Sequence, residues 1–278
     1  MVEVHTYADL KRSFFRQWDA ETTQVNVVYA QGKTGTSTIA AGLKRAGLNP
    51  VFQIHTLRSR ILASVEEEYV RRQSDNYPRH VWEAQWLGDH LPSAQHPWVL
   101  VTSVRDPVAR IVSRFFQQKS RFGGFHDDET VEAMIAELTA AFRRDQRRFG
   151  DVGWDWFDFD LKEVLGRSVY DTPFDPGLGY GTITGEHVRA LLLRGESLDK
   201  APEALLAHFG RRIDLTSENV GSAKDYGPLY RAVLDRFRPP ADYVAKVYDT
   251  RQARHFYSDE ELEELRRHWT RPIGCAGG

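Results

Sequence analysis

The chain has 278 residues, 41% hydrophobic and 12% aromatic, enough to bury a sizeable core as one large domain or two small ones. A formal net charge of −2 gives no basic field for gripping nucleic acid, and a single cysteine, Cys275 in a Gly-rich tail, excludes a disulfide framework or a Cys-built metal cluster. No apolar run approaches transmembrane length and the N-terminus lacks a signal-peptide core, so the expectation is a soluble, cytoplasmic protein without an integral membrane segment.

Residues 1–20 place Asp9, Lys11, Arg12 and Arg16 among apolar side chains and read as an N-terminal amphipathic helix. A strand follows over 25–30, then the loop Gln31-Gly32-Lys33-Thr34-Gly35-Thr36-Ser37-Thr38, then a helix over 37–47 that ends near Gly47 and Pro50. Strand, loop of free N–H groups and helix N-terminus make a phosphate cradle. The spacing departs from the P-loop G-x-x-x-x-G-K-[ST]. Gly32-Lys33-Thr34 fits its end, but Val27 stands in the strand where the first glycine belongs, and Gly35 follows the lysine. Only eight of the 37 basic residues are lysines, which makes Lys33 in this loop conspicuous.

A second strand spans 51–55 and ends at His55; a helix over 58–73 carries the solvated run Glu66-Glu67-Glu68. Residues 74–97 are irregular, broken by Pro78, Pro92 and Pro97, with a further helix fitting 80–90. The β-branched run Trp98 to Val104 suits a buried parallel strand. Arg105 sits at its carboxyl end, Asp106 can cap the next helix, and Pro107 is a favoured first helical residue. That helix runs over 107–119, with Ser113 about two turns in. Residues 128–149 read as a charged, mostly solvated helix, and 151–185 as a long ordered loop with short strands. Within it Trp154, Trp156 and Phe157 suit either core or an acceptor-stacking surface. His187 to Arg194 is a fourth strand, and helices occupy 199–209, 226–237, 240–250 and 258–269.

Strands alternating with helices give right-handed crossovers and a central parallel sheet of about four to five strands. No repeat or linker interrupts residues 1–278, so one domain is expected, with 270–278 as a flexible tail. The ligand of such a sheet lies beyond the carboxyl ends of its strands, where Lys33, His55 and Arg105 all fall.

Together these segments resemble sulfotransferases. The loop 31–38 is similar to their 5′-phosphosulfate loop, and Arg105-Asp106-Pro107 through Arg110 to Ser113 is similar to their 3′-phosphate motif R-D-P-x-x-R-x-x-S. The remainder resembles one bacterial branch, described as capsular polysaccharide synthesis proteins. That likeness rests on Trp156-Phe157-Asp158, Pro173-Phe174-Asp175, Leu192 to Leu198, Asn219-Val220-Gly221 with Lys224, and His255-Phe256-Tyr257-Ser258. The resemblance implies a P-loop-like three-layer α/β/α fold of sulfotransferase type. It implies 3′-phosphoadenosine 5′-phosphosulfate as co-substrate and 3′,5′-adenosine bisphosphate as product.

The residues that would hold the co-substrate are Gly32, Lys33, Thr34, Gly35, Thr36, Ser37 and Thr38 at the 5′ side and Arg105 with Ser113 at the 3′ side. Asn219, Gly221 and Lys224 would fold over it. Lys33 would stabilise the leaving phosphate, with no metal required, and His55 would take the acceptor proton, with His80 and Glu83 as rivals. The acceptor would be a hydroxyl or amine of a glycan or small molecule. A P-loop kinase using ATP and Mg²⁺, and a non-catalytic nucleotide-binding protein of a polysaccharide locus, are the alternatives.

Overall fold

The computed structural model describes residues 6–21, 25–71, 79–91, 98–122, 124–125, 130–149, 155–185, 188–216 and 226–271. In chain order the elements are α1 (Tyr7–Glu21), β1 (Asn26–Tyr29), α2 (Thr36–Arg45), β2 (Val51–Ile54), α3 (Ser59–Arg71), α4 (Arg79–His90), β3 (Trp98–Val104), α5 (Pro107–Phe122) and α6 (Val131–Phe149). A π-helical turn, Phe157–Leu161, then runs into α7 (Lys162–Leu165). There follow β4 (Tyr180–Thr184), β5 (Val188–Arg194), α8 (Ala201–Phe209), α9 (Gly227–Arg236), α10 (Ala241–Val247), α11 (Arg251–Phe256) and α12 (Asp259–Thr270).

The strands form a five-stranded sheet in the order β2-β1-β3-β5-β4. All neighbours pair in parallel except β4, which is antiparallel to β5 at the edge. The side-chain period of two divides each central strand between two faces. Val27, Tyr29, Leu100 and Val104 point into the larger core with α4, α5 and α6, while Val28 and Val101 point the other way with Ile39 and Leu43 of α2 and Leu205 of α8. Helices therefore cover both faces in the expected α/β/α layering, and the sheet, expected to be parallel, departs from that only at the antiparallel edge strand β4.

The strand over 98–104 lies where the sequence places it, and α5 begins at Pro107 with Asp106 as its cap. Asp106 Oδ1 accepts the Val108 N–H at 3.0 Å. The helix expected over 80–90 is α4, which packs against β2. There Trp86 meets Phe52 edge-on at 5.6 Å between ring centroids.

Three expectations need correcting. The helix expected over 128–149 is not mostly solvated, because Met134, Leu138 and Phe142 recur every fourth residue and are fully buried. Glu66 is not a solvated charge either. Its carboxylate accepts from Tyr7 Oη (2.8 Å), Lys11 Nζ (2.7 Å) and Gln85 Nε2 (2.8 Å), which lie on two other helices. The helix expected over 240–250 breaks at Tyr248, and Thr250 caps a new helix by accepting the Ala253 N–H. The break leaves Tyr248 fully buried, its hydroxyl 2.6 Å from Asp106 Oδ1.

Phe142 packs against Phe237 (5.4 Å) and Tyr243 (5.0 Å) and so fastens α6 to the C-terminal helices. Phe142→Ala is expected to lower unfolding free energy by about 3–5 kcal/mol in urea titration. A solvated α6 would leave the midpoint unchanged.

Candidate functional site

The loop after β1 has an unusual backbone. Lys33 is the one non-glycine residue with positive φ among those described, at 75°, and Gly35 follows at 92°, with Thr34 between them outside that region. Such alternation turns successive N–H groups to one side and forms a nest for an anion. A left-handed lysine costs about 1–3 kcal/mol, a strain that concentrates at functional sites. Gly35 is also the N-cap of α2, so the nest opens onto the positive end of that helix. A Cβ on Gly32 would meet no protein atom within 4 Å, so there is room over the loop for a ligand.

The hydroxyls of the loop divide by role. Thr34 is buried, and its Oγ1 donates to Gln31 O at 2.8 Å and shares a hydrogen bond with Ser103 Oγ of β3 at 2.8 Å. Gln53 Nε2 donates to Thr36 Oγ1 at 3.0 Å and lies 3.5 Å from Ser37 Oγ. Thr34 and Thr36 can therefore serve an anion chiefly through their backbone N–H groups. Thr38 is buried in the first turn of α2, and Ser37 is half-buried.

The sheet order sets β3 beside β1, and Arg105 thus stands next to the loop. Its Nη1 donates to Lys33 O at 3.3 Å. Ser113 is half-buried further along α5. Behind Arg105 lies a polar brace with no signal in local sequence. Glu196, just past β5, accepts the Asp106 N–H at 2.8 Å through Oε1 and the Tyr257 hydroxyl at 3.0 Å through Oε2. Asp106 Oδ2 accepts Trp269 Nε1 at 2.9 Å. Arg194 makes a bidentate contact with Glu261, both bonds 2.7 Å, and Glu261 closes a capping box with Ser258. A Cβ on Gly195 would lie 3.2 Å from Val104 O and 3.4 Å from Arg105 Cβ, so glycine lets β5 approach this loop. The only hint in the sequence is the pairing of Arg194-Gly195-Glu196 with Tyr257-Ser258, whose partnership is spatial.

His55 follows β2 on the same edge. Its Nδ1 lies 2.7 Å from Ala30 O. A carbonyl only accepts, so Nδ1 carries the hydrogen and Nε2 the lone pair. Burial lowers the imidazole pKa below its usual 6.5, opposed by the Ala30 carbonyl. Neutral His55 thus presents its lone pair at Nε2. His80 opens α4 with its ring 6.2 Å from that of His55. Burial, then repulsion from His55, brings its pKa down to about 4. Glu83 is engaged in the fold: Oε2 accepts the Gln53 N–H at 3.0 Å and Oε1 pairs with Arg79 at 2.9 Å. Burial raises its pKa against those two partners.

Trp156 and Phe157 belong to the core. Trp156 Nε1 donates to His55 O at 2.9 Å, tying the π-helical turn to the exit of β2. Trp154, Asn219, Gly221 and Lys224 lie outside the described residues. Among the described residues no group of three or more His, Cys, Asp or Glu is placed to hold a metal ion, and no helix is long and apolar enough to cross a membrane.

A family model described as "Putative capsular polysaccharide synthesis protein" matches residues 134–258, just under half of the chain. The matched span starts after the loop 31–38 and Arg105, but it includes Arg194, Glu196, Tyr248 and Tyr257, the residues that brace Arg105 from behind. No curated protein and no solved structure gives a match.

Gly32 and Gly35 separate ligand binding from folding. Gly35→Ala forces a Cβ onto positive φ and to 3.1 Å from Leu198 Cδ1, and is expected to cost about 1–3 kcal/mol in thermal unfolding. Gly32→Ala meets nothing and should leave the melting temperature unchanged, while weakening 3′,5′-adenosine bisphosphate at least about tenfold in calorimetry. Equal affinity in both proteins would show that the loop does not cradle an anion.

Proposed function

We propose that the chain is a sulfotransferase that moves a sulfuryl group from 3′-phosphoadenosine 5′-phosphosulfate to a glycan hydroxyl. The observation that supports this reading is the contact of Arg105 with the carbonyl of Lys33, which holds the arginine beside the loop that follows β1. One phosphate would lie in the nest of Lys33, Thr34 and Gly35 at the start of α2. The second would lie against Arg105 and Ser113. A donor with phosphates at both ends of one nucleoside suits that pair. The likeness of residues 134–258 to a capsular polysaccharide synthesis family supports a carbohydrate acceptor.

The donor supplies the sulfuryl group and a phosphate leaving group, and the residues of the chain do the rest. Lys33 places a positive charge where the leaving phosphate gains its own, and the N–H groups of the nest share that charge. Their geometry is fixed beforehand by the Thr34–Ser103 and Arg105–Lys33 contacts, so little reorganisation is needed as charge develops. Nε2 of His55 takes the proton of the attacking hydroxyl. Ala30 O holds the ring and favours the cation that results. His80, with its pKa near 4, stays neutral above that pH and adds no competing charge beside His55.

Calorimetry without Mg²⁺ should show tight binding of 3′,5′-adenosine bisphosphate. Arg105→Ala should abolish its preference over adenosine 5′-phosphate, a loss of about 10–100-fold, or about 1.4–2.8 kcal/mol. Lys33→Ala should lower kcat about 10²–10³-fold with smaller loss of product affinity. ATP binding that requires Mg²⁺, with no affinity for the bisphosphate, would instead mark a kinase.

The pH profile tests His55. A base whose pKa is depressed keeps its lone pair as pH falls through 6.5, so kcat/KM should stay level there and drop only at lower pH. His55→Ala should cost about 10²–10⁴-fold and remove that acid limb while bisphosphate affinity is kept. An unchanged limb in the variant would assign it to another group.

A further inference from the structure

The π-helical turn Phe157–Leu161 carries a carboxylate that the reaction described above does not use. Single π turns recur at functional sites. Asp160 is 2% exposed. Its Oδ1 accepts Tyr29 Oη at 3.2 Å and Thr56 Oγ1 at 2.7 Å. Tyr29 ends β1 and Thr56 follows His55, so the carboxylate lies on the same sheet edge as the proposed base. Its Oδ2 is buried without a hydrogen-bond partner, and so is Nε of Arg58. Arg58 belongs to the same cluster. Its backbone N–H donates to Thr56 Oγ1 at 3.1 Å, its Nη2 reaches Phe159 O, and its charge acts on Asp160.

A buried acceptor and a buried donor left unmatched in one cluster call for a group that both donates and accepts. A hydroxyl does this; an ammonium or a carboxylate does only one. The Arg58–Glu163 pair at 3.0 Å is between side chains 36% and 72% exposed, so it holds Arg58 weakly. Beside it Phe159 is 39% exposed, and its ring lies 4.0 Å under the guanidinium, so an exposed aromatic face adjoins the cluster.

We propose that Asp160 Oδ2 and Arg58 Nε form an acceptor subsite that grips a second hydroxyl of the sugar whose first hydroxyl faces His55. This rests on the sulfotransfer reading and deepens it: the acceptor is a polyol, and a simple phenol, with one hydroxyl, fills only half of the site. Asp160 acts here in binding and orientation, while His55 handles the proton.

The full-length chain is titrated with methyl glycosides of glucose, galactose and N-acetylglucosamine, with and without 3′,5′-adenosine bisphosphate, and followed by saturation-transfer difference NMR. 4-Nitrophenol is the single-hydroxyl control. At least one glycoside should bind the wild type. Asp160→Asn should weaken it tenfold or more, leaving bisphosphate and 4-nitrophenol affinities within twofold. Should Asp160→Asn unfold, Arg58→Gln, which leaves the Tyr29 and Thr56 contacts of Asp160 in place, carries the same expectation. Glycosides that bind neither form, or bind wild type and variant alike, overturn the subsite. Failure of the bisphosphate arm alone overturns the sulfotransfer reading and leaves the sugar subsite standing on its own titration.

Discussion

One carboxylate holds together much of what surrounds the proposed 3′-phosphate site. Asp106 is almost wholly buried at the exit of β3 and accepts from the Val108 N–H, the Tyr248 hydroxyl and the Trp269 indole. The last two come from residues 142 and 163 positions further along the chain. A buried anion with three donors is stable where an unpaired one is not. The same contacts that satisfy Asp106 start α5, fasten α10 and α12 to the sheet edge, and fix the neighbouring Arg105. Glu196 completes the arrangement by taking the Asp106 N–H, so both the backbone and the side chain of this residue are fixed.

Rigid support of this kind keeps a strained loop in place. Lys33 keeps its positive φ because the chain on either side is held, by Thr34 to Ser103 and by Arg105 to the Lys33 carbonyl. The result is a row of N–H groups set before any ligand arrives. A flexible loop would lose part of its binding energy in ordering itself. His55 is held in the same way, its tautomer set by Ala30 and its backbone carbonyl held by the Trp156 indole.

The legible parts of the chain are those whose causes are local. Trp98 to Val104 was readable to the residue because a strand-length run rich in valine is punctuated by Arg105-Asp106-Pro107, a cap and a helix start. The turn over 31–35 between β1 and α2 was readable as Gly- and hydroxyl-rich composition, but the positive φ of Lys33 was not, since glycines stand on either side of it and would have served more cheaply. The burial of α6 was hidden because Met134, Leu138 and Phe142 are diluted by charged neighbours. Glu66 looked solvated because its partners come from α1 and α4. The brace behind Arg105 and the Asp160 cluster were invisible for the same reason: each is a set of single polar residues brought together by the sheet order, and no spacing rule joins Tyr29 to Asp160.

The sheet order also dictates when the site comes into being. β1 lies between β2 and β3, so the loop it carries gains its Ser103 contact only after a chain separation of 69 residues has been closed. Asp106 must then wait for Trp269, close to the last residues described. Contacts of such long range form slowly and late. During synthesis the emerging chain would present the loop 31–38 long before it had the strands and helices that hold it. The shape of that loop is therefore a property of the completed fold, and a chain truncated before α12 would lose part of its support without losing any residue of the loop itself.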